Sequence, residues 1–260
     1  MLNLFKSLWQ SSSPKPSASG PSGHGAGARP LRGGPTFSKI ALGCGACHQF
    51  VRGVHRDGVD RGAIASFGNN FAIEQPFTWA AGEVSSGLIS VERKVMSGRK
   101  EGTALYDSAV QLAETVGACE SAYDRKRFGL MLIVTDGVDL HSQRFAQAPE
   151  RAGLAFRRIM STYSKRWITL LFGVGHDVDR DSLHLLARTG DMQLNMVDDM
   201  TAFAAALNEL GTRIRVGVRT DCVAQDGWAL AVQRPFAEMS VTPYDYVFLI
   251  DRSGSMQDAG

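Results

Sequence analysis

An α/β fold, a doubly wound and mostly parallel central sheet with helices on both faces, is predicted by two features of the sequence. FGLMLIVTDG at 128–137 and YVFLI at 246–250 are almost continuous apolar runs, as expected of central strands covered on both faces. From Phe37 onward, segments with apolar residues at helical spacing alternate with short strand-like segments, the pattern of a parallel sheet with crossover helices.

The elements follow in order. Ile40, Cys44, Cys47, Val51 and Val54 fall at helical spacing and predict an amphipathic helix over 38–55, despite its glycines. RGAIASF at 61–67 reads as a strand, and the region around Phe77 as a short edge strand. Helical patterns cover 84–96 and 104–119, and the apolar strand at 128–137 comes next. A helix (146–163), strand (167–172), helix (181–187), short strand (193–197) and helix (200–213) complete the alternation. Residues 215–242 look like one or two extended segments with Pro235 as a breaker, and the run at 246–250 is a last buried strand.

Residues 11–36 are dense in Ser, Pro and Gly and carry no acidic residue, the composition of a flexible linker or tail. The expected organisation is a tail (1–36), an α/β domain (37–214), a connecting segment (215–242) and a final strand with its loop (243–260). Hydrophobic residues at 44% and charged residues at 21% place the chain with globular proteins that bury a core. A net charge of +2 gives no electrostatic case for nucleic acid or anionic lipid. No apolar stretch approaches the roughly 20 residues of a membrane span. The opening MLNLFKSLWQSSS lacks the long apolar core of a secretory signal, so a cytoplasmic location is expected. Cys44, Cys47, Cys119 and Cys222 are too few and too irregular for a disulfide framework, in keeping with a reducing compartment.

Chemistry concentrates at strand ends. In DRSGSM, Asp251, Ser253 and Ser255 offer a carboxylate and hydroxyls on alternate residues, with Gly254 permitting a tight turn. Such oxygens are the ligands hard divalent cations prefer, although the same loop also serves as a plain helix cap after a strand. GTALYDS at 102–108 sets Thr103 just before a helix, and TDG at 135–137 sets Asp136 at the carboxyl end of the most apolar strand. Ligand sites of open parallel sheets gather beyond the carboxyl ends of strands, so these separate segments nominate one place.

Together DRSGSM, GTALYD and LMLIVTDG resemble the metal-ion-dependent adhesion site of the von Willebrand factor A domain, also known from integrin inserted domains. ASFG at 65–68 resembles that family's second strand, and FGVGHDVDRDSLHLLARTG at 172–190 its fifth strand and following helix. The resemblance covers about 37–211 and 244–256 and implies roles position by position. Ser253, Ser255 and Thr103 would offer hydroxyls to a Mg²⁺ ion, with Mn²⁺ or Ca²⁺ as alternatives. Asp251 and Asp136 would act directly or through water. A cation held largely by hydroxyls and water keeps positive character toward an incoming carboxylate. The implied function is non-catalytic: capture of an Asp or Glu side chain from a partner protein. Assembly of an intracellular ATPase or enzyme complex is the alternative.

In the family the D-x-S-x-S strand comes first; here it comes last. Residues 37–211 thus read as a domain missing its first strand, and the C-terminal segment as that strand, which implies a circular permutation. A fragment of a tandem protein and a strand-swapped oligomer are the rival readings, the permutant being a monomer.

Other motifs compete. CGACH at 44–48 fits covalent c-type haem attachment through Cys44, Cys47 and His48, but both cysteines also lie on the apolar stripe of the first helix. Asp177, Asp179 and Asp181 open like a calcium loop, yet Ser182 and Arg188 stand where that loop needs Gly and Glu, so a helix-capping turn is expected. His141 follows Asp136 closely enough to approach the rim of the site.

Overall fold

Helix α1 (Lys39–Val54) starts where Ser38 turns from extended backbone and its hydroxyl accepts the Ala41 N–H (3.4 Å). In this computed structural model, residues 37–98, 101–118, 126–163, 166–216 and 242–258 are described. The expected tail and nearly all of the expected connecting segment lie outside the described residues. After α1 come β1 (Arg61–Phe67), β2 (Phe71–Thr78), α2 (Ala81–Ser97), α3 (Leu105–Gly117), β3 (Phe128–Thr135) and α4 (Pro149–Met160). Then follow β4 (Arg166–Val174), α5 (Arg180–Gly190), β5 (Gln193–Val197), α6 (Met200–Val216) and β6 (Tyr244–Asp251), which runs into a 3₁₀ turn over Gly254–Gln257.

Among the described residues the sheet has six strands in the order β2-β1-β6-β3-β4-β5. All pairings are parallel except β1 with β2, so the predicted doubly wound α/β architecture is what the chain adopts. The last strand in sequence thus lies at the centre. β6 pairs with β1 from Arg61↔Asp245 to Phe67↔Asp251, and with β3 from Phe128↔Tyr244 to Val134↔Ile250.

Alternation along β6 explains why its sequence is apolar at nearly every position. Tyr244, Tyr246, Phe248 and Ile250 face the core formed with α1, α2 and α6. Val247 and Leu249 face the opposite core, formed with α3, α4 and α5. Burying each such side chain contributes about 1.5–3 kcal/mol, and a central strand collects this on both faces. Aromatic edges complete the packing: Phe248 stands T-shaped to Phe50 of α1 (centroids 5.8 Å) and to Tyr246 (5.9 Å).

Some expected boundaries shift. β2 is a full edge strand over Phe71–Thr78 rather than a short one around Phe77, and Pro76 sits where an unpaired edge tolerates it. α4 begins at Pro149, whose missing N–H suits a first turn, while the positive-φ Gln147 (53°) excludes the predicted start at 146. α6 continues to Val216, past the expected domain limit at 214. Asp179 caps α5 by accepting the Ser182 N–H (3.1 Å), so the predicted capping turn is present.

The central position of β6 sets a stability expectation. Phe248→Ala should cost about 3–5 kcal/mol in urea unfolding, the usual penalty for emptying a buried aromatic site. A loss under about 1 kcal/mol would mean that β6 is not structurally required.

Candidate functional site

β3 and β6 are adjacent and parallel, so their carboxyl ends open on the same edge of the sheet. β6 ends at Asp251 and β3 at Thr135, with Asp136 next in the chain. The loop that carries Thr103 is fastened to these ends by main-chain bonds. Ala104 N–H donates to the Gly68 carbonyl beyond β1 (2.9 Å), and Gly254 N–H donates to the Glu101 carbonyl (2.8 Å). Leu140 and His141 N–H groups both donate to the Thr103 carbonyl (3.1 and 3.0 Å). All five sequence-nominated residues, Thr103, Asp136, Asp251, Ser253 and Ser255, therefore lie on the strand end, turn and loops at one end of the sheet.

Their side chains form a chain of oxygens. The Ser253 and Ser255 hydroxyls are 2.8 Å apart, and the Ser255 hydroxyl donates to Asp136 Oδ1 (2.7 Å). Asp251 is fully buried; its Oδ2 accepts the Thr135 hydroxyl (2.7 Å) and its Oδ1 the Ser253 N–H (2.8 Å). Thr103 Oγ1 lies near the same loop, beside Gly137. A Cβ on Gly137 would stand 2.8 Å from it and 3.7 Å from Ser255 Oγ, so the backbone approach at this position requires glycine.

Sequence reasoning missed several contributors. Lys39, in the first turn of α1, places its ammonium 2.9 Å from Asp136 Oδ2. A lysine opening the first amphipathic helix was visible, but its reach across 97 positions was not. Thr135 was hidden inside the apolar strand signal. A second group ties the threonine and aspartate loops together. Asp139 accepts the Tyr106 N–H (2.7 Å) and the Ser142 hydroxyl (2.7 Å), while Asp107 accepts the N–H groups of Gln143, Arg144 and Phe145 (2.7, 3.0 and 3.0 Å). His141 is exposed and its ring covers Gly102, where a Cβ would fall 2.0 Å from Nδ1.

The electrostatics are unbalanced. Lys39 balances Asp136, but Asp251 has no ion-pair partner among the described residues. Burial pushes the Asp251 carboxyl up to about 7, and the Asp136 charge pushes in the same direction; the Thr135 and Ser253 hydrogen bonds act against them. Among the described residues no three His, Cys, Asp or Glu side chains cluster as metal ligands. The donor set is instead hydroxyl-rich, with two carboxylates, a composition suited to a hard, partly hydrated cation rather than to zinc.

The competing thiols lie elsewhere. Cys44 and Cys47 are buried in the core face of α1, where desolvation pushes the Cys44 thiol up to about 12 and the Cys47 thiol well above its ordinary value. A haem edge could reach them only by opening the packing of α1 against the sheet.

Asp251 generates a pH expectation. Its ordinary value is about 4, so the folded protein binds a proton that the unfolded chain releases, and stability falls as pH rises from about 4 through 7. Chelator-treated protein should therefore unfold at lower urea at pH 8 than at pH 5, and Asp251→Asn should flatten that dependence. Identical pH slopes for the two proteins would contradict the assigned cause.

No protein-family model matches the sequence, and no curated protein matches it. Solved structures do. The chain is similar to a von Willebrand factor type A protein from Catenulispora acidiphila, with a TM-score of 0.52 and 14% identity over 67% of this chain and 38% of that one. It is also similar to the conserved hypothetical protein BatB from Bacteroides thetaiotaomicron, with a TM-score of 0.44 and 14% identity over 65% of this chain and 87% of that one. With the mostly parallel six-stranded sheet flanked by helices, the first of these comparisons gives the chain the von Willebrand factor A fold.

Proposed function

We propose that this chain is a non-catalytic protein-interaction module that holds Mg²⁺ among Asp251, Ser253, Ser255, Thr103 and Asp136 and captures a partner's Asp or Glu side chain there. The observation that carries the reading is the hydrogen-bonded run of oxygens from the buried Ser253 through the half-buried Ser255 to the buried Asp136, beside a second buried carboxylate, Asp251, with no ion-pair partner among the described residues. Uncompensated buried charge is costly, and a divalent cation would remove that cost. The hydroxyls of Ser253, Ser255 and Thr103 would hold the ion. Asp136 and Asp251 would supply charge, and the Asp251 oxygens, each already accepting one protein donor, retain lone pairs for water.

A bound Mg²⁺ would supply positive charge toward a carboxylate, and the rest of the recognition falls to this chain's own surface. Val138 and Leu140 follow Asp136 on the same loop and are exposed, Leu140 by 76%. Apolar side chains around a charged centre are what a protein partner needs to exclude water from the contact. The loops that carry the site are pinned by main-chain bonds and by Asp107 and Asp139, so little ordering cost remains to be met on binding.

The circular permutation belongs to the same proposal. The 3₁₀ turn after β6 ends beside the start of α1, where the Lys39 N–H donates to the Asp258 carbonyl (2.9 Å). In the family order a helix follows the D-x-S-x-S strand, and on the permuted reading α1 would take that helix's role. On this reading the chain completes its own site. Light scattering on the eluting protein should give the monomer mass of 28.1 kDa. A dimer mass, with the site lost on dissociation, would favour exchanged C-terminal strands.

Two measurements test the function. Calorimetry should detect Mg²⁺ binding to the native protein and none to Asp251→Ala, with circular dichroism showing both folded. A partner recovered on immobilised protein in Mg²⁺ should be lost in EDTA and with Asp251→Ala. Equal recovery under all conditions would end the metal-bridged reading.

A further inference from the structure

Lys39 is placed where helix formation does not explain it. α1 has no acidic residue in its first turn, and a cation there opposes the positive end of the helix dipole. Its ammonium is nonetheless drawn out of water, with the side chain only 22% exposed, onto Asp136, whose side chain is fully buried. Asp136 Oδ2 takes the ammonium at 2.9 Å while Oδ1 takes the Ser255 hydroxyl at 2.7 Å. A lysine ammonium is a compact, hard cation on a flexible stem. It therefore uses the same carboxylate that a hard divalent ion would use.

Resting on the cation-site reading above, we propose that Lys39 is a tethered competitor that sets the divalent affinity of the site. In the metal-free protein it neutralises Asp136 and spares the fold one uncompensated buried carboxylate. A divalent ion arriving at Asp136 meets a positive charge already in contact with that carboxylate, so binding requires the ammonium to move away. The stem can swing, while its root stays fixed by the Ser38 cap and by the Lys39 N–H bond to the Asp258 carbonyl (2.9 Å). Affinity for the ion and hold on the lysine are then reciprocal quantities.

The test compares the full-length protein with Lys39→Met and Lys39→Arg by calorimetric titration with Mg²⁺ and Mn²⁺, and by thermal melts in EDTA and in excess metal. Lys39→Met should bind both ions about tenfold tighter, a factor corresponding to about 1.4 kcal/mol. It should also melt earlier than the native protein in EDTA and recover more on metal addition. Lys39→Arg, which keeps the charge, should not gain affinity. Native binding with unchanged or weaker affinity in a folded Lys39→Met would overturn the role of Lys39 while leaving the cation site standing. Absence of binding to either protein would overturn the cation site and this inference with it. If Lys39→Met does not fold, the Lys39 side-chain nitrogen of the native protein can be followed by NMR. A resonance that shifts on Mg²⁺ addition supports displacement, and an unmoved one with Mg²⁺ bound refutes it.

Discussion

The insertion of β6 between β1 and β3 is the constraint on which the rest of the molecule depends. Without it the parallel strands β1 and β3 would each expose a row of unpaired main-chain groups inside the core, which no globular protein tolerates. The same strand supplies aromatic residues to one core and aliphatic residues to the other, so both layers of helices are anchored on it. Its direction matters as much as its place. Because β6 runs parallel to β3, Asp251 emerges beside Thr135 and Asp136 and not at the far end of the sheet.

The two ends of the sheet use charge in opposite ways. At the amino ends, Asp245 is buried but paired with Arg61 (2.5 Å) and Arg127 (2.7 Å), and Asp60 is paired with Arg56 (2.7 Å). These carboxylates are satisfied by arginines that cannot be discharged, and the guanidinium groups of Arg61 and Arg127 both lie 5.0 Å from the Trp79 ring centroid. That end is a structural closure. At the carboxyl ends, among the described residues, Asp251 has hydrogen bonds but no arginine, and Asp136 has one flexible lysine. Buried acids left so lightly compensated are a cost to folding, and such costs collect where a protein binds something.

Much of this was legible in the sequence because the signals were periodic or local. The continuous apolar runs marked β3 and β6, and helical spacing marked α1, since those patterns arise from burial on two faces or on one stripe. β2 was less legible because its residues are half-exposed and do not alternate. The loops bearing Thr103, Asp136 and Asp251 could be nominated because each follows or precedes a recognisable element. Lys39 could not, because what defines it is an approach between an α1 side chain and the end of β3. The bonds from Tyr106 to Asp139, from Asp107 to Ser142 and from Gln143 to Asp107 were invisible for the same reason: each links residues that only the folded chain brings together.

A further consequence concerns how order at the site is shared between distant parts of the chain. α1 packs against α2 and α6, yet its first residue is bound through its N–H to Asp258 and through its ammonium to Asp136. Gln257 adds a bond from its side-chain amide to the Val95 carbonyl of α2 (2.8 Å). The turn after β6 is thus held by α1 and α2 from one layer and, through Gly254 and Ser255, by the threonine and aspartate loops that lead to the other. Loosening any of these contacts would shift Ser253 and Ser255 relative to Asp136. For the Mg²⁺ ion proposed above such shifts would matter, because that ion demands near-ideal oxygen geometry. The precision of the site therefore comes from both helical layers, joined at the one turn that follows the central strand.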